Sequence, residues 1–317
     1  MENKDTFSSY HPLVSMLFFV QVIVYAMLFL HPVCLGMGVV CALTYAIYLN
    51  GKKAVRFALL FLLPMLILAV IVNPAFTHQG VTIIAYLPSG NPLTLESILY
   101  GIAAALMLVA VISWFSCYNA VMTSDKFVYL FGRVIPALSL VLSMALRFVP
   151  RFMAQIKVVA NAQRCIGRDI SQGGLLKRIR HGIKILSIMV TWALESAIET
   201  ADSMKCRGYG LPGRTAFSIY RIDKRDKKAL LFLLLCAAYI ITGAALGALT
   251  FKYYPLIVSS LYPDSVLWNL YSASIFVVYL ALCFMPLAIN VLEDMKWRPK
   301  MKLLEARGDK QDSLDKT

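Results

Sequence analysis

The sequence contains six largely apolar runs, each close to the length needed to cross a lipid bilayer. They are residues 14–30, 33–49, 58–72, 98–121, 230–246 and 266–289. A transmembrane helix needs about 20 mostly apolar residues. The chain is also 59% hydrophobic, above the roughly 45–50% typical of soluble domains. We therefore predict an all-α, polytopic membrane protein with about six transmembrane helices, about five to seven being compatible with the pattern.

The charges between these runs predict how the spans are oriented. Residues 51–56 carry three cations, whereas residues 74–96 contain no Lys or Arg. Loops rich in Lys and Arg stay in the cytoplasm, so we expect residues 51–56 and the N-terminus to be cytoplasmic. The chain begins Met-Glu-Asn-Lys-Asp, which lacks the basic start of a signal peptide. The first run is therefore predicted to be a retained membrane anchor.

Three segments depart from a plain helical span. Pro64 interrupts the third run and predicts a kink there. The β-branched segment Val81–Leu87, followed by Pro-Ser-Gly-Asn-Pro, indicates a short strand or an interfacial piece. Residues 127–149 are apolar but are interrupted by Arg133 and Pro136. They are compatible with a fifth span and also with a helix lying across the cytoplasmic end of the bundle.

The region 147–228 is far more basic than the rest of the chain. It holds 17 Lys or Arg and 6 Asp or Glu, which is +11 of the net charge of +14. Such a region is too charged to span a membrane. We predict N-terminal transmembrane helices at 1–126, a cytoplasmic helical region at 127–228, C-terminal transmembrane helices at 229–292 and a cytoplasmic tail at 293–317. The tail has no marked apolar face, and we expect it to fray.

A first amphipathic helix is predicted to begin near Pro150, since proline suits the first helical turn, and to end near Gly167. Its apolar residues recur at helical spacing: Phe152, Met153, Ile156, Val159 and Ala160. A neighbouring stripe is polar or basic: Lys157, Asn161, Arg164 and Arg168. Two interpretations stay open: the helix lies on acidic lipid headgroups, or it docks on an acidic partner protein.

A longer helix is predicted from Leu175 to Arg207. Its apolar line consists of Leu186, Val190, Ala193, Ala197, Ala201 and Met204. The three alanines would allow another helix to approach closely. Gly208, followed by Pro212, is typical of a helix end. Arg207 either complements the helix dipole or projects past the end and contacts a carboxylate on another protein.

Glu195, Glu199 and Asp202 form an acidic stripe on the second helix. Such a stripe is usually solvated or paired with neighbouring cations. It is also where the chemistry of a membrane-embedded enzyme acting on lipid or prenyl substrates would lie, and this alternative stays open. A metal site is not favoured there because no histidine accompanies the carboxylates.

Several motifs of other functional classes are missing from the sequence. It contains no G-x-x-x-x-G-K-[ST] phosphate-binding motif, no catalytic His and carboxylate in a known motif, and no Cys or His spacing typical of a metal site. The sequence therefore offers no evident phosphate cradle or metal site, and we expect no metal, cofactor or nucleic-acid partner. Ionisable residues are scarce in the spans and no internal repeat is visible, which disfavours a secondary transporter.

Ordered motifs within residues 120–215 resemble the transmembrane T component of energy-coupling factor (ECF) transporters, the EcfT/CbiQ-like family. Arg147-Phe148-Val149-Pro150 resembles the family's Arg-Phe-x-Pro at the start of the coupling helices. Met122-Thr123-Ser124 resembles a threonine-rich turn that precedes them.

The two helix ends carry the more specific part of the resemblance. Ala162-Gln163 with Gly167 resembles the family's Ala-Gln-x-Ala-Arg-Gly, although Ile166 stands where the family has arginine. The segment 201–210 resembles Ala-Met-x-x-Arg-Gly-Tyr and keeps its arginine as Arg207.

The resemblance implies a non-catalytic coupling subunit, not an enzyme, of an ABC-type importer in a prokaryotic plasma membrane. Two ATPase subunits would bind the ends of the two coupling helices. The apolar helix faces would then tilt a separate substrate-binding S component that takes up a vitamin or metal ion. The implied ATPase-docking residues are Arg207, Gly208, Arg168, Arg164 and Gly167, with Arg168 preferred at the first end, and Arg147 and Pro150 mark the start of the coupling helices.

Overall fold

The computed structural model describes residues 5–77, 79–86, 92–132, 135–168, 174–209, 211, 220–255, 257–259 and 266–314. The helices are α1 (Pro12–Leu28), α2 (Pro32–Asn50), α3 (Lys52–Phe76), α4 (Leu95–Val121), α5 (Ser124–Gly132), α6 (Pro136–Cys165), α7 (Leu175–Cys206), α8 (Lys224–Ala245) and α9 (Val266–Leu314). Two short antiparallel pairs join β1 (Ile83–Tyr86) to β2 (Pro92–Thr94) and β3 (Phe251–Lys252) to β4 (Val258–Ser259). The chain divides into a bundle unit, Met1–Thr123 with Tyr220–Thr317, and a second helical unit, Ser124–Ile219.

The predicted fold class, an all-α polytopic membrane protein, is confirmed. Within the described residues, six helices are long and apolar enough to cross a membrane. They are Pro32–Asn50, Lys52–Phe76, Leu95–Val121, Ser139–Cys165, Lys224–Ala245 and Trp268–Lys296. One of the six, Ser139–Cys165, lies inside α6, and its second half is basic. Whether residues 127–149 cross the membrane or lie across the cytoplasmic end of the bundle therefore stays a prediction.

Helix α1 is shorter, at 17 residues, but it runs from one end of the bundle unit to the other. At its start, the backbone N–H of His11 donates to Asp226 Oδ1 at 3.1 Å, beside the beginning of α8. Beyond its other end, the carbonyl of Leu30 accepts from the Tyr253 hydroxyl at 2.8 Å, in the hairpin after α8. A helix of this length is about 25 Å long, close to the roughly 30 Å of the hydrocarbon layer. The first predicted span is therefore supported by the packing of α1.

An aromatic cluster fills the centre of the bundle unit. Trp114 of α4 is fully buried, and its ring centroid lies 5.7 Å from that of Phe18 and 6.4 Å from that of Phe19 on α1. Tyr45 of α2 lies 6.5 Å away on another side. Tilted and edge-on ring contacts of this kind add stability beyond burial alone. The cluster thus fastens α1, α2 and α4 to one another.

The N-terminal segment is fastened to α9 by a buried asparagine. Asn290 Oδ1 accepts from the backbone N–H of Thr6 at 2.8 Å and of Phe7 at 3.2 Å. Its amide nitrogen donates to Asp5, which also accepts from the Tyr45 hydroxyl at 3.1 Å. Because these polar atoms satisfy one another, they are tolerated inside an apolar bundle. The N-terminus, the last turns of α2 and the middle of α9 therefore meet at the same end as Asp226.

The predicted start of the first amphipathic helix is wrong. The first amphipathic helix does not begin near Pro150 but is continuous from Pro136. Proline at the first turn is provided by Pro136, and Pro150 is accommodated inside the helix, where it removes one backbone hydrogen bond. The tail belongs to α9, which continues to Leu314, and its fraying stays a prediction.

Local irregularities lie near the predicted positions. In α3, a π-helical segment occupies Ala58–Leu62, just before Pro64. The proline ring would clash with the carbonyl four residues earlier in a regular helix, which accounts for a wider turn there. The predicted strand in Val81–Leu87 is confirmed as β1, paired with β2; Leu87, like Arg133, lies outside the described residues.

Histidine side chains cap α1 and α2. Each precedes a proline in the first helical turn, and its ring Nδ1 accepts from the backbone N–H two residues on: Leu13 for His11 at 3.2 Å, and Val33 for His31 at 3.3 Å. Both rings must therefore be neutral, with the proton on Nε2. Burial lowers the pKa of both imidazoles, and the Asp226 carboxylate partly opposes this for His11.

Acidification is expected to destabilise the bundle unit through these two caps. The folded protein resists protonation of the rings, whereas the unfolded chain binds protons near the ordinary histidine pKa of about 6.5. The free energy of unfolding therefore falls as the pH drops below about 6.5. Thermal unfolding in detergent at pH 7.5 and 5.5 measures this loss, both pH values being chosen to bracket about 6.5. The double variant His11→Asn/His31→Asn keeps a capping oxygen and should lose less; an equal loss in both proteins would contradict the assignment.

Candidate functional site

Helix α6 ends in a hydrogen-bonded turn closed by Gly167. This glycine has φ of 77°, a left-handed conformation that glycine adopts without steric cost. Its N–H donates to the carbonyl of Arg164 at 3.0 Å, and the N–H of Arg168 donates to the carbonyl of Gln163 at 3.0 Å. These two bonds are those of a Schellman motif, which fixes the path of the chain as it leaves the helix.

Helix α7 ends in the same way at Gly208, whose φ is 74°. The Gly208 N–H donates to the carbonyl of Lys205 at 3.0 Å, and the Tyr209 N–H donates to the carbonyl of Met204 at 3.1 Å. The predicted end of the second helix is confirmed, since Arg207 is the C-terminal cap residue. Its side chain is exposed.

The two ends correspond residue by residue when aligned on their glycines. Ile166 takes the position of Arg207, and the two cap residues have nearly equal φ and ψ, −91° and 12° against −84° and 9°. Arg164 corresponds to Lys205, whereas Arg168 corresponds to Tyr209. Neither arginine of the first end therefore occupies the position of Arg207, and the docking role assigned to Arg168 stays a prediction.

Each helix end also carries an exposed cysteine, which sequence reasoning missed. Cys165 and Cys206 occupy matching positions directly before the cap residues, whereas the other five cysteines of the chain are buried. The repeated spacing Cys-x-Gly is visible in the sequence and marks the correspondence. These thiols place two natural attachment points at the candidate site.

Aromatic packing fixes the crossing of α6 and α7. The ring of Phe152 meets Trp192 edge-on, with centroids 5.5 Å apart, and the guanidinium of Arg151 lies 5.4 Å from the Trp192 ring centroid. Phe148 stacks on Phe152 at 5.7 Å. The aromatic positions that follow Arg147 thus hold the two helices together, and a cation over a tryptophan face adds to this attraction. Arg147 and Pro150 themselves are exposed.

A long apolar stripe on α7 faces away from this internal contact. Its members are exposed and recur every three or four residues: Ile179, Ile183, Leu186, Val190, Leu194 and Ile198. The side of α7 packed within the unit instead contains Ile185, Met189 and Ser196, all buried. The predicted small-residue face is likewise exposed at Ala197 and Ala201. Exposed apolar surface of this extent is typical of a protein or membrane contact.

The acidic stripe lies on the exposed surface of α7. Glu195, Glu199 and Asp202 are exposed, and Asp202 pairs with Lys205 at 3.6 Å in an exposed ion pair. Among the described residues, no group of His, Cys, Asp or Glu is arranged to hold a metal ion.

The residues of both helix ends lie in the part of the chain that is similar to a known protein family. The family model described as CbiQ, cobalt transport protein, matches residues 6–219, which include both helix ends and α1 to α7. The chain belongs to this family. The matching region ends before α8, so the last two spans lie outside it.

Curated relatives of this CbiQ-family chain are bacterial energy-coupling factor transporter transmembrane proteins, EcfT. The protein of Lactobacillus helveticus is 36% identical over 105 residues, 33% of this chain and 38% of the relative. That of Bacillus selenitireducens is 34% identical over 111 residues, 35% of this chain and 41% of the relative. The protein of Macrococcus caseolyticus is 29% identical over 188 residues, 55% and 67% of the two chains. The alignments with the first two span about two fifths of each relative.

Alanine at the capping glycines is expected to loosen the helix ends of this family member. At Gly208 the left-handed backbone costs an L-residue about 1–2 kcal/mol, and an added Cβ would lie 3.1 Å from Leu211 Cδ1. Amide hydrogen exchange over residues 203–209 should become about fivefold faster or more, since about 1.4 kcal/mol corresponds to tenfold. Gly182→Ala is the matched control, because a Cβ there meets nothing within 4 Å and alanine favours a helix interior. Equal exchange rates in Gly208→Ala and wild type would contradict the assigned motif.

Proposed function

We propose that this chain is the non-catalytic coupling subunit, or T component, of an ECF-type ABC importer. The observation that carries the proposal is the pair of equivalent helix ends on α6 and α7. Two equivalent surfaces on one chain suit contact with two ATPase subunits, one at each helix end. Arg207 is placed at a helix end, where a bidentate contact with a carboxylate of an ATPase is geometrically accessible. Gly167 and Gly208 would let the ATPase surfaces approach closely.

The distribution of cations supports a cytoplasmic location for the N-terminus and the coupling region. Tyr45 and Tyr48 contact Asp5 and Asp294, so the C-terminal end of α2 lies at the same end of the bundle unit as the N-terminus. Three cations follow α2 in residues 51–56, and four more open α8 in residues 224–228. Because positive charge is retained on the cytoplasmic side, this end would face the cytoplasm of a prokaryotic cell.

The exposed apolar stripe on α7 suits a separate membrane subunit that binds the solute. The relatives are transmembrane proteins of energy-coupling factor transporters. In this chain, ATP-driven movement of the two helix ends would be carried along α7 to the stripe, and from there to an S component. The solute would be a micronutrient, a vitamin or a metal ion. The chain itself would bind neither nucleotide, nucleic acid nor metal, and it would contact the lipid bilayer through its spans.

Affinity purification tests this function directly. The tagged full-length chain is extracted from its own membranes in mild detergent at about 50 mM salt, and the proteins that elute with it are identified by mass spectrometry. We expect two ATP-binding subunits and one further membrane protein. Elution of the ATP-binding subunits should decline at about 500 mM salt, because salt screens exposed charge pairs. Recovery of the chain without any ATP-binding protein at the lower salt would contradict the proposal.

A further inference from the structure

The two helix ends differ at the positions that flank the capping glycine. At the end of α6 these residues are Ile166 and Arg168, and at the end of α7 they are Arg207 and Tyr209. Directly before the glycine, α6 has the apolar Ile166 where α7 has the cation Arg207. Directly after the glycine, α6 has a cation where α7 has the aromatic Tyr209. The two glycine-closing hydrogen bonds and the cap angles correspond at both ends, so the contrast at these flanking positions lies in their side chains.

The remaining positions are chemically matched. Arg164 and Lys205 are both cations, and Cys165 and Cys206 are both exposed thiols. These shared residues give both ends a preference for acidic surfaces. They do not distinguish one end from the other.

A single protein surface cannot accommodate both ends equally well. Ile166 is 65% exposed and gains from an apolar socket that removes it from water. The guanidinium of Arg207 in that socket would be a buried charge without a partner, which is strongly unfavourable. Conversely, Ile166 placed against the carboxylates that suit Arg207 would desolvate them without offering a hydrogen bond.

We infer that Ile166 with Arg168, and Arg207 with Tyr209, form a two-residue key at each helix end that assigns the end to its own ATPase subunit. The subunit at the α6 end has an apolar socket for Ile166 beside a carboxylate for Arg168. The subunit at the α7 end has carboxylates for Arg207 beside an apolar contact for Tyr209. This inference rests on the proposed function and deepens it, since it names the residues that distinguish one helix end from the other.

The exposed cysteines allow each end to be probed separately in the full complex. A short photoreactive maleimide is attached to Cys165 in the Cys206→Ser variant, and to Cys206 in the Cys165→Ser variant. Each labelled chain is assembled with the ATPase subunits that co-purify with the wild type, and the subunit captured on illumination is identified by mass spectrometry. We expect the Cys165 probe to capture one subunit and the Cys206 probe to capture the other. Capture of one and the same subunit by both probes would overturn the key.

Exchanging a key gives a second, label-free test. The variant Ile166→Arg/Arg168→Tyr gives the α6 end the two flanking residues of the α7 end, and Cys165→Ser is the matched control at that end. We expect the variant to lose about tenfold or more of the subunit assigned to the α6 end, while the control retains it. Unchanged recovery of both subunits in a variant with wild-type helix content would overturn the key. If no ATPase subunit elutes with the wild type, the proposed function itself is contradicted. If one kind of ATPase subunit binds at both helix ends, only the assignment of each end to its own subunit is contradicted.

Discussion

Reversing the charge of Arg207 is expected to weaken binding of the ATPase subunits by about 30-fold or more. The arginine caps α7, and its side chain is exposed at a turn whose backbone is fixed by two hydrogen bonds. Removing one partner of a desolvated charge pair costs about 2–5 kcal/mol, and about 1.4 kcal/mol corresponds to tenfold in affinity. Arg207→Glu adds repulsion from the acidic surface that the arginine would contact.

The matched control for this variant is Lys184→Glu, which makes the same charge change on an exposed residue of α7 far from its end. Binding is measured as the dissociation constant of the purified ATPase subunits from the chain in nanodiscs. The control should change affinity only slightly, because a remote exposed charge acts through screened long-range attraction. Equal losses in the two variants would show that net charge, and not the helix end, determines binding.

Truncation of Trp114 should cost the bundle unit about 3–5 kcal/mol, the largest stability change that we expect from one side chain. The ring is fully buried and joins α1, α2 and α4 through Phe18, Phe19 and Tyr45. Trp114→Ala therefore removes the shared contact and leaves a cavity that the surrounding helices fill only in part. A bundle of close-packed helices has no flexible element to absorb such a loss.

The neighbouring residue provides a control at the same depth of the same helix. Phe115 is 48% exposed, so its outer face would meet lipid and not the cluster. Thermal unfolding in detergent should show a large loss for Trp114→Ala and a much smaller one for Phe115→Ala. Similar losses in the two variants would mean that the aromatic cluster does not hold the unit together.

The sequence was most informative where the membrane restricts the possible structures. Apolar runs must become helices because no water is available to satisfy backbone groups, so the fold class followed from run length. The end of α7 followed from Arg207-Gly208, since few residues other than glycine close a helix in this way. The limits of α6 did not follow, because Pro150 is tolerated inside a helix whose first turn already begins at Pro136.

Contacts between distant residues were not predictable from spacing. Phe152 and Trp192 are 40 positions apart in the chain, and their edge-on contact depends on how α6 and α7 cross. The equivalence of Ile166 and Arg207 was visible only as a departure from the family motif. It became a structural correspondence once the backbone angles and hydrogen bonds of both ends were known.

The distance between the two helix ends, measured with and without nucleotide, tests the central claim most directly. Spin labels on Cys165 and Cys206 report this distance without further substitutions, because the other five cysteines are buried. In a complex with both ATPase subunits in nanodiscs, we expect the distance distribution to shift when a non-hydrolysable ATP analogue is added, and to stay constant in the isolated chain. An unchanged distribution in a complex that demonstrably binds nucleotide would contradict a role of α6 and α7 in coupling ATP to transport.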